Sequence, residues 1–446
     1  LFFKVFASFL VFFYTDVALV SAGAISVMLV VTRFFDALND PVMGLICDRT
    51  KSPHGKFRPW LRWMILPYAV SGILLFTVPD LGETSKLIYV YATYTLALVF
   101  YTSINIPYGA LMGVITPHSH ERTSLATFRF YGAYASNFIV QGSILFLALY
   151  FSFGKGVDGN ASQSGYTLTM ATYAVTAAGL WLFVFYNTKE RVMPPKGQKS
   201  DLKKDLSQLL QNKPWVAIVI IGVSSIIWIA LRDAAILFYF KYYVVGQVEE
   251  GGRFEKLATS FNLLGTAATI AGVACTNFFT NILGGKKYAF FWLTVIVAFT
   301  AGIYYFAGPG DIALIMIIQA ITSFLMGPLM PLFWSMIADT ADYSEWKFGR
   351  RFTGLTFSAG TFSQKVGWAI GPALGAKLLD YYGYVPNAPQ SSDTIQGLRM
   401  MMSVIPSVIG IGAAGLVLLY GINRKLEKQI EAELADRKTA EGTLDI

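Results

Sequence analysis

The chain contains 446 residues, of which 54% are hydrophobic and 14% are charged, and its mean hydropathy is +0.52. Soluble globular domains carry about 25% charged residues, so this composition excludes an ordinary soluble protein and indicates a membrane protein. The net charge of +8 does not indicate a nucleic-acid partner, because that interpretation requires a basic face on a soluble domain and the sequence contains no such domain.

Apolar stretches long enough to cross a lipid bilayer recur along the whole chain. A spanning helix needs about 20 such residues. The pattern predicts twelve spans, near residues 1–20, 23–47, 61–79, 87–115, 121–151, 166–187, 214–244, 256–282, 288–308, 311–337, 353–381 and 396–423. The first stretch begins directly in apolar sequence at Leu1, so we expect its natural helix to be truncated. The predicted fold class is therefore an all-α membrane protein with twelve transmembrane helices.

Lysine and arginine are concentrated in alternate connections between the predicted spans. They follow the second, sixth, eighth, tenth and twelfth spans, whereas the opposite connections are acidic or nearly neutral. Basic connections remain in the cytoplasm, so we expect the basic side and both chain termini to be cytoplasmic. The net charge is mostly a signal of this topology, and the lipid bilayer of the inner (plasma) membrane is the first predicted partner.

A polar stretch from Asn187 to Lys213 divides the spans into two sets of six. Its segment from Leu202 to Leu210 places leucines on one helix face, and we expect this piece to lie along the membrane surface. We predict an N-terminal six-helix bundle over 1–188, a cytoplasmic linker over 189–213, a C-terminal six-helix bundle over 214–423 and a cytoplasmic tail over 424–446. Two such bundles with a cleft between them form the major facilitator fold, in which substrate binds near the midplane.

Two carboxylates occur inside the second predicted span. A charge at bilayer depth costs roughly 2.5–3.5 kcal/mol on insertion scales. Asp36 and Asp40 are four residues apart and therefore share a helix face, and Arg33 lies on the same side. A face of this kind cannot point into lipid. It predicts a polar cavity in which the carboxylates hold a cation or a proton.

Five motifs, in order and at consistent places relative to the spans, resemble those of one transporter family. They are DALNDPVMG at 36–44, DRTKS at 48–52, GKFRPW at 55–60, NIPY at 105–108 and ADTADYSEW at 338–346. Together they resemble the glycoside-pentoside-hexuronide:cation symporters, and the resemblance covers nearly the whole chain. It implies a secondary active transporter that carries a glycoside or pentoside across the inner membrane with a cation by alternating access.

The resemblance also implies roles for individual side chains. Its cation-binding and coupling residues correspond to Asp36, Asp40, Thr102 and Lys365, and its substrate-binding residues to Arg129, Asn105, Tyr108, Trp334 and Thr361. Each assignment has a structural alternative. The carboxylates can neutralise Arg33 or Lys365 as a buried ion pair, Arg129 can be a packing charge, and the aromatic residues can be ordinary packing.

Asn105 departs from the pattern of the melibiose carrier, which has a further aspartate there. Loss of a hard oxygen ligand weakens the case for sodium and favours a proton as the coupling ion, with sodium as the alternative. Gly109 stands where that carrier has a tryptophan, so we expect a different sugar platform. The cations Arg129, Lys365 and Lys4 leave room for an anionic sugar such as a uronide as a second alternative.

Charged residues at the cytoplasmic border suggest a gate. The basic side of the second span carries Asp48, Arg49, Lys56 and Arg58, and the inner end of the tenth span carries Asp339, Asp342 and Glu345. We expect ion pairs between these two sets to hold the cytoplasmic side shut and to release it when the halves rock. The alternative is that the basic residues only anchor the topology.

Other functional classes find little support. The sequence has no Walker-type phosphate loop and no His-Glu-x-x-His motif, so we do not expect an enzyme. A lysolipid carrier of the same superfamily is the remaining rival. We expect no resident cofactor beyond a coupling H⁺ or Na⁺, no metal site at Cys47 or Cys275, and a monomer.

Overall fold

The computed structural model describes residues 5, 10, 13–18, 20, 22–152, 162–192, 202–246, 253–385 and 389–440. Over these residues the chain is almost entirely helical and contains no β-strand. The helices are α1 (Ala22–Arg49), α2 (Arg58–Trp63), α3 (Ile65–Leu75), α4 (Glu83–Ile115), α5 (Ser119–Tyr150), α6 (Gln163–Asn187), α7 (Leu202–Gln211), α8 (Lys213–Phe238), α9 (Arg253–Ala274), α10 (Thr276–Ile282), α11 (Lys286–Ile303), α12 (Ile312–Met326), α13 (Leu329–Phe348), α14 (Thr353–Tyr381), α15 (Ser392–Met402), α16 (Val404–Val417) and α17 (Arg424–Ala440).

Eleven of the twelve predicted spans coincide with helices in the described part of the chain, and the first span lies largely outside it. Several spans are built from two consecutive helices, because the chain breaks its helical path at residues such as Met64, Cys275 and Ser403. Within the described part of the chain, seven helical stretches are long and apolar enough to cross a membrane by length and composition.

The tenth span is longer than its sequence pattern predicted. It consists of α12 and α13, which are separated by Gly327 and Pro328, and it ends at Phe348 rather than near residue 337. Its last turns carry the acidic residues of the ADTADYSEW motif, which ended the apolar pattern early. These residues are nonetheless buried, because α13 packs against helices of the other half.

The two halves meet along a small set of helices. In the second half, α14 packs against α8 of its own half and against α1 and α4 of the first half, while α13 packs against α5. One buried apolar cluster contains residues from both halves. The acidic face of α1 therefore faces the second half and not lipid.

Helix α7 of the linker packs against the second half of the protein. Leu209 is fully buried and packs with Phe352 and Leu355 at the start of α14, whereas Leu210 is exposed. The side chains of residues 202–206 lie outside the described part of the chain. At the following turn, the side-chain amide of Asn212 donates to the Thr340 carbonyl oxygen at 2.9 Å and its carbonyl caps α8. We call the end of the molecule that carries α7 the linker end.

Candidate functional site between the two halves

The structure brings the four predicted coupling residues together. The Nζ atom of Lys365 on α14 lies 2.8 Å from Asp36 Oδ2 and 2.8 Å from Asp40 Oδ1 on α1. The Thr102 hydroxyl on α4 lies 3.1 Å from Asp36 Oδ1 and 3.3 Å from Asp40 Oδ1. Asp36 is 5% exposed and Asp40 is 1% exposed. Three helices from two halves thus converge on one buried ionic cluster, which we call the coupling cluster.

The coupling cluster is not electrically balanced. Among the described residues, two carboxylates share one ammonium group, so Asp36, Asp40 and Lys365 together carry a net charge of −1 when both carboxylates are ionised. Asp40 Oδ2 is buried and makes no hydrogen bond to the described residues. A buried acceptor without a partner costs free energy, and an unbalanced buried charge costs more. Binding of one positive charge would relieve this imbalance.

The sequence places two other cations, Arg33 and Lys4, near this site. The side chain of Arg33 and all of Lys4 lie outside the described part of the chain. Lys365 is thus the described cation that pairs with the carboxylates of α1. It reaches them from the other half of the protein.

A second polar group lies beside aromatic rings in the same interface. The Arg129 guanidinium carbon on α5 lies 5.0 Å from the ring centroid of Tyr108 on α4 and 4.6 Å from that of Trp334 on α13. Trp334 in turn stacks on Phe357, with centroids 5.9 Å apart. Arg129 Nη1 is buried and makes no hydrogen bond to the described residues. This arrangement presents a free donor between aromatic faces, and we call it the arginine site.

Glycine at position 109 leaves space open at the arginine site. A Cβ atom there would lie 3.8 Å from Arg129 Nη1 and 3.8 Å from Trp334 Cζ3. A large aromatic side chain at this position would extend into the space that Arg129 and Trp334 now border. The aromatic faces at the arginine site are therefore those of Tyr108 and Trp334.

Helix α4 connects the coupling cluster to the arginine site. Thr102, Asn105 and Tyr108 are spaced by three residues and so follow one another along one face of α4. Thr102 contacts the carboxylates, Tyr108 contacts Arg129, and Asn105 lies between them, half-buried. Thr361, one turn before Lys365 on α14, is buried and donates to the Ser358 carbonyl oxygen at 2.8 Å, so its oxygen lone pairs remain as acceptors.

The acidic residues of α13 form buried ion pairs at the linker end. Asp339 pairs with Arg122 at 2.9 Å and with Lys286 at 2.6 Å. Asp342 pairs with Arg122 at 2.5 Å and with Arg351 at 2.5 Å. Arg122 belongs to α5 in the first half, so its two pairs cross the interface between the halves.

Arg351 completes this network from the second half. It pairs with Glu345 at 2.7 Å, and its Nη2 donates to the Gly113 carbonyl oxygen of α4 at 2.6 Å. Burial opposes the charge of Arg351, but Asp342 and Glu345 outweigh it and raise its pKa above the ordinary value. The cationic partners in this network therefore differ from the predicted ones, which were the basic residues of the second span.

Those predicted basic residues have other contacts. Carboxylate oxygens of Glu190 accept hydrogen bonds from the backbone N–H groups of Lys56, Phe57 and Arg58 at 2.8–2.9 Å. The Arg58 side chain donates to the Phe185 carbonyl oxygen at 2.7 Å and lies over the Phe185 ring. These contacts stay within the first half, so they anchor the loop after α1. Arg49, the last residue of α1, also has an interaction partner.

Asp48 also contacts the other half of the protein. Its two carboxylate oxygens accept from the backbone N–H groups of Gly354 and Leu355, each at 3.0 Å. These groups belong to the first turn of α14, whose N–H groups lack partners within the helix and favour a negative charge. The backbones approach closely beside them, because a Cβ on Gly44 would lie 2.8 Å from the Gly354 oxygen and a Cβ on Gly354 would lie 2.5 Å from the Gly44 oxygen.

Sequence reasoning missed the cations of the linker-end network. Arg122 lies at the border of a predicted span, and Lys286 and Arg351 were counted only for topology. The available signal was the presence of charged residues just where apolar stretches begin. In this structure the linker end is closed by contacts between the halves.

The fold and this interface define a membrane transporter of the major facilitator class. Among solved structures, the chain is similar to the Escherichia coli fucose:proton symporter, with a TM-score of 0.63, 12% identity, and coverage of 95% of this chain and 98% of that one. It is also similar to the proton:xylose symporter bound to a bromodeoxyglucose, with a TM-score of 0.59, 13% identity, and coverage of 97% and 95%. At these identities the likeness concerns the fold.

Sequence comparison then gives the family. The profile of the family described as MFS/sugar transport protein matches residues 1–424, so the chain belongs to that family. It is 33% identical to a putative glycoside/cation symporter of Escherichia coli K12, over 97% of this chain and 91% of the relative. It is 30% identical to an isoprimeverose transporter of Lactiplantibacillus pentosus, over 99% of this chain and 90% of the relative. The predicted family and fold class are confirmed.

Arg122→Gln should loosen the linker end, because it leaves Asp339 and Asp342 without their partner from the other half and an unpaired buried carboxylate is costly. Spin labels at the exposed positions His120 and Lys347 report the separation of the halves there. We expect the distance distribution measured by double electron–electron resonance to shift to longer values. Arg399→Gln, the same change in a half-buried arginine outside the network, is the control. An unchanged distribution in Arg122→Gln would show that these pairs do not hold the end closed.

Proposed function

We propose that the chain imports a glycoside or pentoside together with a proton, by alternating access between the two halves. The coupling cluster is the observation that carries this proposal. It places a net charge of −1 and a free carboxylate oxygen at the contact between the halves, where binding of one positive charge alters the interaction that joins them.

A proton fits the coupling cluster better than sodium. The Lys365 ammonium group already lies 2.8 Å from both carboxylates, in the place that a sodium ion would need in order to use oxygens of both residues. A proton requires only Asp40 Oδ2, which has no described partner. Asn105 adds an amide where a third carboxylate would favour a metal cation. Protonation would weaken the attraction between α1 and Lys365, and so release the halves.

The arginine site supports a polyol as the substrate. Arg129 offers a donor and Tyr108 and Trp334 offer aromatic faces, on which the C–H face of a sugar ring can pack. Arg129 and Tyr108 come from the first half, while Trp334 and Thr361 come from the second. A sugar bound here contacts both halves, so its affinity depends on how they are arranged. That dependence is what couples binding to alternating access.

The network at the linker end supports the gating step. Its ion pairs and the Asp48 contact with α14 join the halves on one side of the coupling cluster and the arginine site. We take that side to be the cytoplasmic side, which also carries both termini. The state described here would then receive substrate from outside. Rocking of the halves would break these pairs and open the path inward.

An anionic sugar is a second candidate substrate, and the unpaired Nη1 of Arg129 favours it. A guanidinium group without a carboxylate partner can bind the carboxylate of a uronide through paired hydrogen bonds. One relative, 30% identical over 98% of this chain, is named as a glucuronide carrier protein homologue. A lysolipid carrier is less well supported, because the cavity beside the arginine site is bordered by charged and amide side chains such as Arg232, Asp233 and Asn262.

Asp40→Asn should abolish sugar accumulation driven by a proton gradient while sparing sugar exchange, because the amide cannot take up the coupling charge and the arginine site is left intact. Uptake into proteoliposomes with and without a pH gradient measures this. Asp393→Asn, an exposed carboxylate at the start of α15, is the matched control. Concentrative uptake by Asp40→Asn at the level of the control would remove the coupling role.

Sugar uptake should acidify the interior of lightly buffered vesicles and should proceed without sodium, because the coupling cluster takes up a proton. A pH-sensitive dye inside the vesicles measures this for each sugar of a panel of glycosides and uronides. Asn105→Asp restores a third carboxylate and should create sodium sensitivity. The proton assignment is wrong if millimolar sodium raises the sugar affinity of the unmodified protein several-fold at constant pH.

Arg129→Ala should lower sugar affinity by about ten-fold or more, because sugar oxygens would lose a buried charged donor, a loss of roughly 1–3 kcal/mol. Calorimetry on the purified protein measures the affinity, and a selective loss for uronides would identify an anionic substrate. Trp334→Ala should have an effect of similar size through lost stacking. Unchanged affinity in both variants would place the substrate elsewhere.

A further inference from the structure

A cavity lies further from the linker end than the arginine site does. It has a volume of about 780 Å³ and is lined by residues of both halves. Volumes of roughly 300–1,000 Å³ are typical of small-molecule sites. We call it the outer cavity. Its lining includes no residue of the coupling cluster or of the arginine site.

The residues of its wall show where the outer cavity lies along the helices. On α5 its wall includes Tyr134, five residues beyond Arg129, and on α14 it includes Trp368, three residues beyond Lys365. Both helices begin at the linker end, where Ser119 contacts Asp339 and Asp48 contacts the first turn of α14. The cavity therefore lies one to two helical turns further from the linker end than the arginine site does.

Trp368 presents an aromatic face to the outer cavity. Its side chain is 45% exposed although it lines a cavity that is otherwise rich in polar groups. An indole ring is a large apolar surface, and covering it with a ligand removes that surface from water. Asn262 on α9 is also exposed there, and its amide makes no hydrogen bond to the described residues. The amide therefore offers both donors and an acceptor to a ligand.

A buried arginine orients another amide in the same wall. Arg232 Nη2 on α8 donates to Gln319 Oε1 at 2.7 Å, and the Tyr304 hydroxyl donates to the same oxygen at 3.0 Å. Both contacts fix Oε1, so Gln319 Nε2 is left as a donor without a hydrogen bond to the described residues. Gly265 makes room for this amide, because a Cβ there would lie 2.3 Å from Nε2. The oriented donor thus follows from three specific contacts.

The charges of the outer cavity also suit a polyol. Arg232 is 5% exposed, its Nε makes no hydrogen bond, and among the described residues no carboxylate lies within ion-pair distance of it. Asp233, the next residue, is exposed and lines the cavity. A sugar ring has hydroxyl groups that both donate and accept, so it can use a carboxylate, two amides and a guanidinium group at once. A lipid tail could use none of them.

We propose that the outer cavity binds the second sugar ring of a disaccharide-like glycoside whose first ring occupies the arginine site. This inference rests on the proposed function, since it requires that a sugar binds at Arg129. Trp368 supplies the stacking face for the second ring, and Asn262 and Gln319 supply its hydrogen bonds. The cavity then selects for chain length, because a single ring bound at the arginine site does not reach it.

Matched pairs of sugars test the outer cavity in the purified full-length protein. The probes are methyl β-xyloside with xylobiose and methyl β-glucoside with cellobiose, each titrated by calorimetry. Trp368→Ala should weaken binding of the two-ring sugar by about ten-fold, and Asn262→Ala by about three-fold, through lost stacking and a lost hydrogen bond. Binding of the one-ring sugar should change by less than about two-fold in both variants. Trp292→Ala, an equally exposed tryptophan of α11 outside the cavity, is the control for both.

The outcomes separate the two proposals. Equal losses for one-ring and two-ring sugars, or no loss for either, would overturn the outer cavity as a second-ring site. If the unmodified protein binds no sugar of the panel, including glucuronides added to it, the proposed function itself fails. Asn262→Ala removes a side chain that makes no hydrogen bond to the described residues, so it keeps the test decisive should Trp368→Ala fold poorly.

Discussion

The structure depends on one buried ionic imbalance, in which two carboxylates of α1 share a single ammonium group that arrives from the other half of the protein. Burial makes this imbalance costly, and the cost can be relieved by a proton or a cation, or by moving the halves. Because the ammonium group of Lys365 and the carboxylates belong to different halves, a change in the charge of the cluster is also a change in the force between the halves. In the proposed function, this link is how a small ion controls a rearrangement of the two halves.

The two ends of the interface are built differently. At the linker end, the halves are joined by buried ion pairs and by the contact of Asp48 with the first turn of α14. The backbones also approach closely where Gly44 faces Gly354. Beyond the arginine site, the halves border a cavity of about 780 Å³ with exposed polar and aromatic side chains. Buried pairs are stable only while their geometry is kept, so the proposed mechanism requires the linker end to switch between this paired state and a separated one. A bistable contact of this kind is what alternating access requires.

Much of the fold could be predicted from the sequence, because apolar length and the placement of basic residues report directly on membrane crossing. The four-residue spacing of Asp36 and Asp40 likewise predicted a shared polar face. Lys365 entered only through a family resemblance, since nothing local indicates a partner 325 residues away. The carboxylates of the linker-end ion pairs have different cationic partners from the predicted ones, because Arg122 and Arg351 reach Asp342 through packing of α5 and of the loop after α13, which no local pattern encodes. The role of these pairs as a gate stays a prediction. The outer cavity was missed for the same reason: Arg232, Gln319 and Trp368 come from three helices.

The central claim is that the coupling cluster takes up one proton when sugar binds. Calorimetric titration of a bound sugar in buffers of different ionisation enthalpy counts the protons taken up, because the buffer supplies them in each case. At a pH where the coupling cluster has not yet bound the proton, the account predicts uptake of about one proton per sugar by the unmodified protein. It predicts essentially no proton uptake by Asp40→Asn. Sugar binding is retained in both. Proton uptake that is absent in the unmodified protein, or unchanged in Asp40→Asn, would contradict it.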